Sequence, residues 1–129
     1  MTDAMAENVY IAIIGGGPVG LALTCALAET RWRIALVERR PRGAWADDPR
    51  ALAIAHGSRQ ILERLQAWDA TAATAIREIH VSQRGGFGRT LMHADDYRLP
   101  ALGYVTPYRA LTAALDRANE NAGHRTPWL

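Results

Sequence analysis

The first residues that could do chemistry are a set of glycines and one carboxylate. Gly15, Gly17 and Gly20 stand in a G-x-G-x-x-G spacing, and Glu38 follows roughly 20 residues on. This pattern suits a nucleotide pyrophosphate. Gly15 permits a tight turn, Gly17 lets backbone approach the phosphates, and Gly20 lets a helix pack closely on a sheet. Pro18 and Val19 open that helix, and the fixed φ of Pro18 suits its first turn. The helix start offers free N–H groups and a partial positive charge to an anion. Glu38 can accept hydrogen bonds from a ribose diol. The plainer reading of the same residues is a glycine-rich strand-to-helix turn without a ligand.

Such residues need a strand–turn–helix–strand frame, and the neighbouring sequence supplies one. Val9–Ile14 is apolar without alternation, the pattern of a parallel strand buried on both faces. Pro18–Thr30 is rich in small residues and predicts the phosphate-facing helix. Arg33–Glu38 predicts the second strand. Arg39–Pro49 is a polar loop, longer than the usual two to six residues of such a connection, which points to function. Its basic run, Arg39, Arg40 and Arg42, could address a 2′-phosphate, but the Glu38 carboxylate would repel one. The run therefore reads as a solvated loop face, with Arg39 near an adenine.

Downstream, Arg50–Ala55 fits either an extended or a helical segment. Ser58 is the expected N-cap of a helix through Leu65, with Ile61, Leu62 and Leu65 on one face. Trp68 anchors the next turn, and Asp69–Ala75 reads as a short helical turn. Glu78–Gln83 alternates as a half-buried strand, with Ile79 and Val81 on one side. The glycine-rich stretch 84–88 turns the chain, and Thr90–His93 returns as a hairpin partner. Asp95–Pro100 is loop and Gly103–Val105 a short strand. Thr106 and Pro107 open a helix to Ala122, striped by Leu111, Ala114, Leu115 and Ala118 and ended by Gly123. Thr126–Leu129 begins another strand, and residues 1–8 read as a loose tail.

Composition bounds the rest. The chain has 129 residues, 49% of them hydrophobic and 22% charged, which fits one globular domain. A net charge of +2 is too small to argue for nucleic acid. All 15 basic residues are arginine, which removes a P-loop lysine and Schiff-base chemistry. Cys25 is the one cysteine, so no intrachain disulfide forms; it reads as a small buried hydrophobe. The acidic N-terminus and short apolar run give no signal peptide or membrane span, so a cytoplasmic setting is expected. His56, His80, His93 and His124 lack ligand spacing, so no metal site is expected. Asp95 and Asp96 are adjacent in a loop and read as solvated.

Two longer segments are more selective than the glycine motif. They are DPRALAIAHGSRQILERLQAWD from Asp48, and IHVSQRGGFGRTLMHADDYRLPALGYV from Ile79. Together they closely resemble the flavin-dependent aromatic hydroxylases of ubiquinone biosynthesis, most of all those acting on 2-polyprenyl-6-methoxyphenol. The resemblance runs from about Val9 to Val105.

The resemblance implies an α/β fold: a Rossmann-like FAD-binding βαβ with the start of an inserted substrate domain. Residues 9–75 would be the dinucleotide-binding part, 76–105 the first substrate-region strands, and 106–129 a helix and strand start. It implies FAD as cofactor, NAD(P)H as electron donor, O₂ as oxidant and a polyprenylated phenol as substrate. Other ubiquinone-biosynthesis proteins and a peripheral membrane contact are implied partners. By resemblance Gly15, Gly17 and Gly20 hold the pyrophosphate and Glu38 the adenosine ribose. Arg50 matches a family arginine that reaches FAD from the loop after the second strand, and Arg109 lies in a region that touches the flavin. The resemblance assigns no catalytic residue. Two later FAD motifs of the family are absent from these residues, so the chain reads as a truncated N-terminal portion, inactive by itself. A non-catalytic nucleotide-binding or interaction fragment, and an NAD-binding reductase, stay open as alternatives.

Overall fold

A computed structural model describes residues 11–122 and 126–129. The expected tail at 1–8, the first two residues of the expected strand Val9–Ile14, and Gly123 and His124 lie outside the described residues. The chain opens β1 (Ile11–Ile14), α1 (Pro18–Leu27), β2 (Ile34–Val37). β1 and β2 pair in parallel, from Ile11 opposite Ile34 to Ile14 opposite Val37. The chain end extends this sheet on the far side of β2. Trp128 forms a parallel bridge with Leu36, whose N–H donates to Pro127 O while the Leu129 N–H donates to Leu36 O. The expected strand at Thr126–Leu129 is thus seen as its first rung.

Between these come β3 (Ala51–Ala55), α2 (His56–Arg64), β4 (Thr74–Ile76), β5 (Glu78–Ser82), β6 (Arg89–His93), β7 (Gly103–Pro107) and α3 (Tyr108–Asn121). β3, β7 and β4 form an antiparallel sheet with β7 in the middle; β5 and β6 form a separate hairpin. α3 packs on α1 and closes the core of Ile13, Leu21, Ile34, Leu36, Leu62, Leu111 and Leu115. All of the expected stripe, Leu111, Ala114, Leu115 and Ala118, is buried. The Asn119 side-chain amide donates to Leu21 O and Leu115 O, both at 3.0 Å, and ties the two helices together. Buried Thr24 and Thr112 donate to the carbonyls one turn back, at Gly20 and Tyr108. Cys25 is half-buried against Leu115 O, and desolvation raises its thiol to about 11, so it stays protonated.

Several local expectations are corrected. Arg50–Ala55 resolves as strand from Ala51. α2 starts at His56 with Ala55 as its N-cap, so Ser58 lies inside the first turn; Ile61 is exposed, and Leu62 carries the burial. Asp69 instead makes a side-chain turn, accepting from the Thr71 N–H and hydroxyl, and strand β4 begins at Thr74. Thr106 is a buried strand residue and Pro107 is itself the N-cap of α3. In β5, Val81 is exposed rather than half-buried. β1 also departs from the expectation of two buried faces. Ile13 faces the core and is buried, but Ile14 points to the opposite face and is 77% exposed. β2, between β1 and the chain end, is buried from Ile34 to Leu36 and partly buried at Val37.

Candidate functional site

The glycine turn joins β1 to α1 at the C-terminal ends of the parallel strands. Gly15 has φ +107°, a conformation that side chains rarely adopt, and its N–H donates to Val37 O at 2.8 Å. Gly17 is the N-cap of α1; no side chain caps the helix and no acid lies in its first turn. Gly20 packs so tightly that an added Cβ would fall 1.8 Å from Gly15 O. Val19 is 84% exposed just inside the helix start. The middle glycine, Gly16, is a free position in the motif, yet here an added side chain would be crowded. A Cβ there would meet the Trp128 ring at 2.8 Å and the Glu38 Cβ at 3.0 Å.

Glu38 stands at the end of β2, facing this turn. Its Oε2 accepts from the Gly16 N–H at 2.8 Å and its Oε1 from the Arg40 N–H at 3.0 Å. These bonds, Arg40 first and Gly16 second, lower its pKa. The carboxylate is therefore ionised and fixed against the glycine turn.

Two arginines meet around Tyr108, the buried first residue of α3. The Arg50 guanidinium lies 4.3 Å from the Tyr108 ring centre, a cation–π contact. Arg50 also grips Asp48 with two groups, Nε to Oδ1 at 2.9 Å and Nη2 to Oδ2 at 2.7 Å. That pairing lowers the Asp48 carboxyl to about 2. The neighbouring Tyr108 side chain, and then Glu38, with which Arg40 pairs at 3.5 Å, raise the Arg40 pKa. The Tyr108 hydroxyl in turn lies 3.4 Å from the place of a Gly17 Cβ. Two guanidiniums and an uncapped helix start thus converge on one bare stretch of backbone, an arrangement that can hold a diphosphate.

Of the residues expected at the site, Gly15, Gly17, Pro18, Val19, Gly20, Glu38 and Arg50 come together here. Arg109 follows Tyr108 and is exposed. Arg39 is exposed on the loop. The basic run is exposed, as expected of a solvated loop face, and two of its members are also paired. Arg40 has the partners above, and Arg42 bridges to α3, bonding Asp116 at 2.9 Å and Glu120 at 2.6 Å. Tyr108, Arg40 and Trp128 are the site residues that sequence reasoning missed.

The lowered carboxylates carry a pH signature. Groups whose folded pKa is depressed add stability above their ordinary pKa near 4 and lose it as pH falls through the lowered value. Melting temperature is expected to be level from about pH 7 to 5 and to drop below about pH 4. The drop should be shallower in Glu38→Gln/Asp48→Asn when melting is followed by circular dichroism. An identical acid profile would remove both groups from the account.

The FAD dependent oxidoreductase family matches residues 11–129. The 3-demethoxyubiquinol 3-hydroxylase of Escherichia coli is 33% identical over 88% of this chain and 31% of its own length. Ubiquinone hydroxylase UbiM of Neisseria meningitidis is 37% identical over 50% of this chain and 15% of its own. The tetrameric form of 2-methyl-3-hydroxypyridine-5-carboxylic acid oxygenase shares the fold, with TM-score 0.63 at 18% identity over 92% of this chain and 30% of that one. The chain spans about a third or less of the length of these relatives. No described helix is long and apolar enough to cross a membrane. The expected α/β fold and family are both borne out: the chain belongs to the FAD-dependent oxidoreductases, with hydroxylases of ubiquinone among its relatives.

Proposed function

We propose that this chain is the N-terminal FAD-binding portion of a monooxygenase that hydroxylates a polyprenylated phenol in ubiquinone biosynthesis, using NAD(P)H and O₂. The names of the two ubiquinone-linked relatives support the substrate class. The observation that carries the reading is the convergence of the uncapped α1 start, Glu38, Arg40 and Arg50 around Gly17 and Tyr108. In this proposal residues 9–75 bind the dinucleotide, 76–105 begin the substrate region, and 106–129 return to the nucleotide sheet. The site is cytoplasmic, and other proteins of the same biosynthesis are candidate partners.

FAD would supply the redox chemistry and the activation of oxygen. This chain's residues do the holding. The backbone at Gly15–Gly17 and the α1 dipole receive the pyrophosphate, and Pro18 and Val19 shape the helix start. Glu38 accepts from the adenosine ribose, with Arg39 beside the adenine. Arg50, steered by Asp48 and stacked on Tyr108, offers its remaining donors to a phosphate. Arg109 reaches toward the flavin from the start of α3.

A second reading, a nucleotide-binding or interaction module, is favoured by the open apolar flank beside β1, where Ile14, Val19 and Leu23 are exposed. An NAD-binding reductase is disfavoured, because an antiparallel sheet rather than further strand–helix units follows β2.

Titration with FAD, followed by flavin fluorescence, tests the proposal. The 129-residue chain should bind FAD and show no NAD(P)H-driven hydroxylation of a prenylated phenol. Hydrogen bonds to charged groups contribute about 1.5–3 kcal/mol, so Glu38→Ala and Arg50→Ala should each weaken FAD about tenfold or more. Arg50→Lys should rescue little, since it loses both the fork to Asp48 and the stack on Tyr108. Affinity unchanged in both alanine variants would overturn the assignment. Turnover by the chain itself would mean that the reaction site is built from residues that otherwise read as structural.

A further inference from the structure

The β5–β6 hairpin serves neither the core nor the nucleotide site, and it forms a two-stranded sheet of its own. Toward its tip both faces are open. Val81 on one face and Leu91 on the other are 54% and 48% exposed, and Phe87 in the turn is 110% exposed. Gly85 and Gly88 bracket Phe87 with φ +74° and +109°, so the turn's shape depends on glycine. Arg84 and Arg89 flank it, both exposed. No Asp or Glu occurs from residue 79 to residue 94. The acids Glu78, Asp95 and Asp96 all sit at the base, where Glu78 faces His93 at 3.3 Å.

Single apolar residues on a surface need no explanation. A fully exposed phenylalanine held between two arginines on a projecting turn is a more specific object. The ring suits the boundary between headgroups and acyl chains, and guanidinium forks suit lipid phosphates. A second copy meeting the same tip would bring like charges together. A nucleic acid would require a longer basic stripe than two arginines.

We propose that the hairpin tip, Arg84 to Arg89, docks this chain on an anionic lipid bilayer, with Phe87 entering the interface. The inference stands on the hairpin and not on the proposed reaction. Co-sedimentation of the 129-residue chain with phosphatidylcholine vesicles, with and without about one-third phosphatidylglycerol, tests it. Binding is expected to anionic vesicles only and should weaken as salt shortens the screening length. Phe87→Ser, and Arg84→Gln with Arg89→Gln together, should each lower partitioning about tenfold or more. Melting should be unchanged, because these side chains are exposed. Phe87→Trp should gain quenching by brominated lipid. Undiminished sedimentation of Phe87→Ser would overturn the proposal. So would retention on a single-stranded oligonucleotide without vesicle binding, or a lipid-free dimer that Phe87→Ser dissociates.

Discussion

Gly17→Val is expected to fold as the parent does and to lose FAD, whereas Gly20→Ala is expected to lose the fold itself. The two glycines share a motif but face different neighbours. Gly17 has φ −78° and ψ −177°, extended backbone open to any residue. The nearest atom to an added Cβ is the Tyr108 hydroxyl at 3.4 Å, an ordinary contact. A valine there costs the apo chain little but stands where a pyrophosphate must come close to backbone. Losing charge-assisted bonds to the phosphates at about 1.5–3 kcal/mol each should weaken FAD about a hundredfold. At Gly20 the added Cβ would lie 1.8 Å from Gly15 O, a backbone atom that cannot rotate away. The turn would have to open and lift α1 from β1, at more than the ~1–3 kcal/mol of ordinary overpacking. Against a total stability of about 5–15 kcal/mol, that loss is severe. Melting and FAD titration of both variants check the pair. A Gly17→Val chain with parental affinity would take the pyrophosphate away from this turn. A Gly20→Ala chain with the parental melting temperature would show that the helix need not approach so closely.

What is legible in the sequence is local or periodic. The glycine turn, Glu38 at the end of the second strand, the hairpin and the stripe of α3 each depend on neighbours a few residues away or on a repeat. Tyr108, Arg40 and Trp128 depend on long-range register. Ala51 pairs with Pro107, and the next residue's N–H, at Tyr108, donates to Arg50 O at 2.8 Å. That rung carries an aromatic ring from the far side of the hairpin to the glycine turn, and no local pattern announces it. Ser58 and Thr106 mislead as caps for a related reason. Both are good capping residues by type, but β3 runs directly into α2 and β7 into α3, leaving the cap position to the last strand residues, Ala55 and Pro107. The exposure of Ile14 is hidden because burial of an apolar strand depends on what covers each face of its sheet, and the run of residues reads the same whether one face is covered or both.

Trp128→Ala is expected to destabilise the fold although the residue is only partly buried, and to weaken FAD without touching a residue that would contact it. Three supports meet on this indole. Its ring edge fills the space beside Gly16, within 2.8 Å of where a Cβ would be. Its centre lies 6.1 Å from buried Trp45, tilted by 46°, and so fixes the turn inside the long loop after β2. Its Nε1–H donates to Arg40 O at 3.3 Å, on the residue whose side chain pairs with Glu38. Truncating a tryptophan in a core costs about 3–5 kcal/mol; this one is only partly buried, so about 2–3 kcal/mol is expected. The freed backbone at Gly16 and Arg40 should then hold the Glu38 carboxylate less firmly and weaken FAD severalfold. Trp128→Phe separates packing from hydrogen bonding. It keeps a ring against Gly16 and Trp45 and loses only the bond to Arg40 O, about 0.5–1.5 kcal/mol. Most of the melting temperature should return, and with it the near-ultraviolet circular dichroism of the aromatic pair. If Trp128→Ala melted and bound FAD like the parent, the chain end would be a passive third strand, and Gly16 would be glycine for a reason other than this ring.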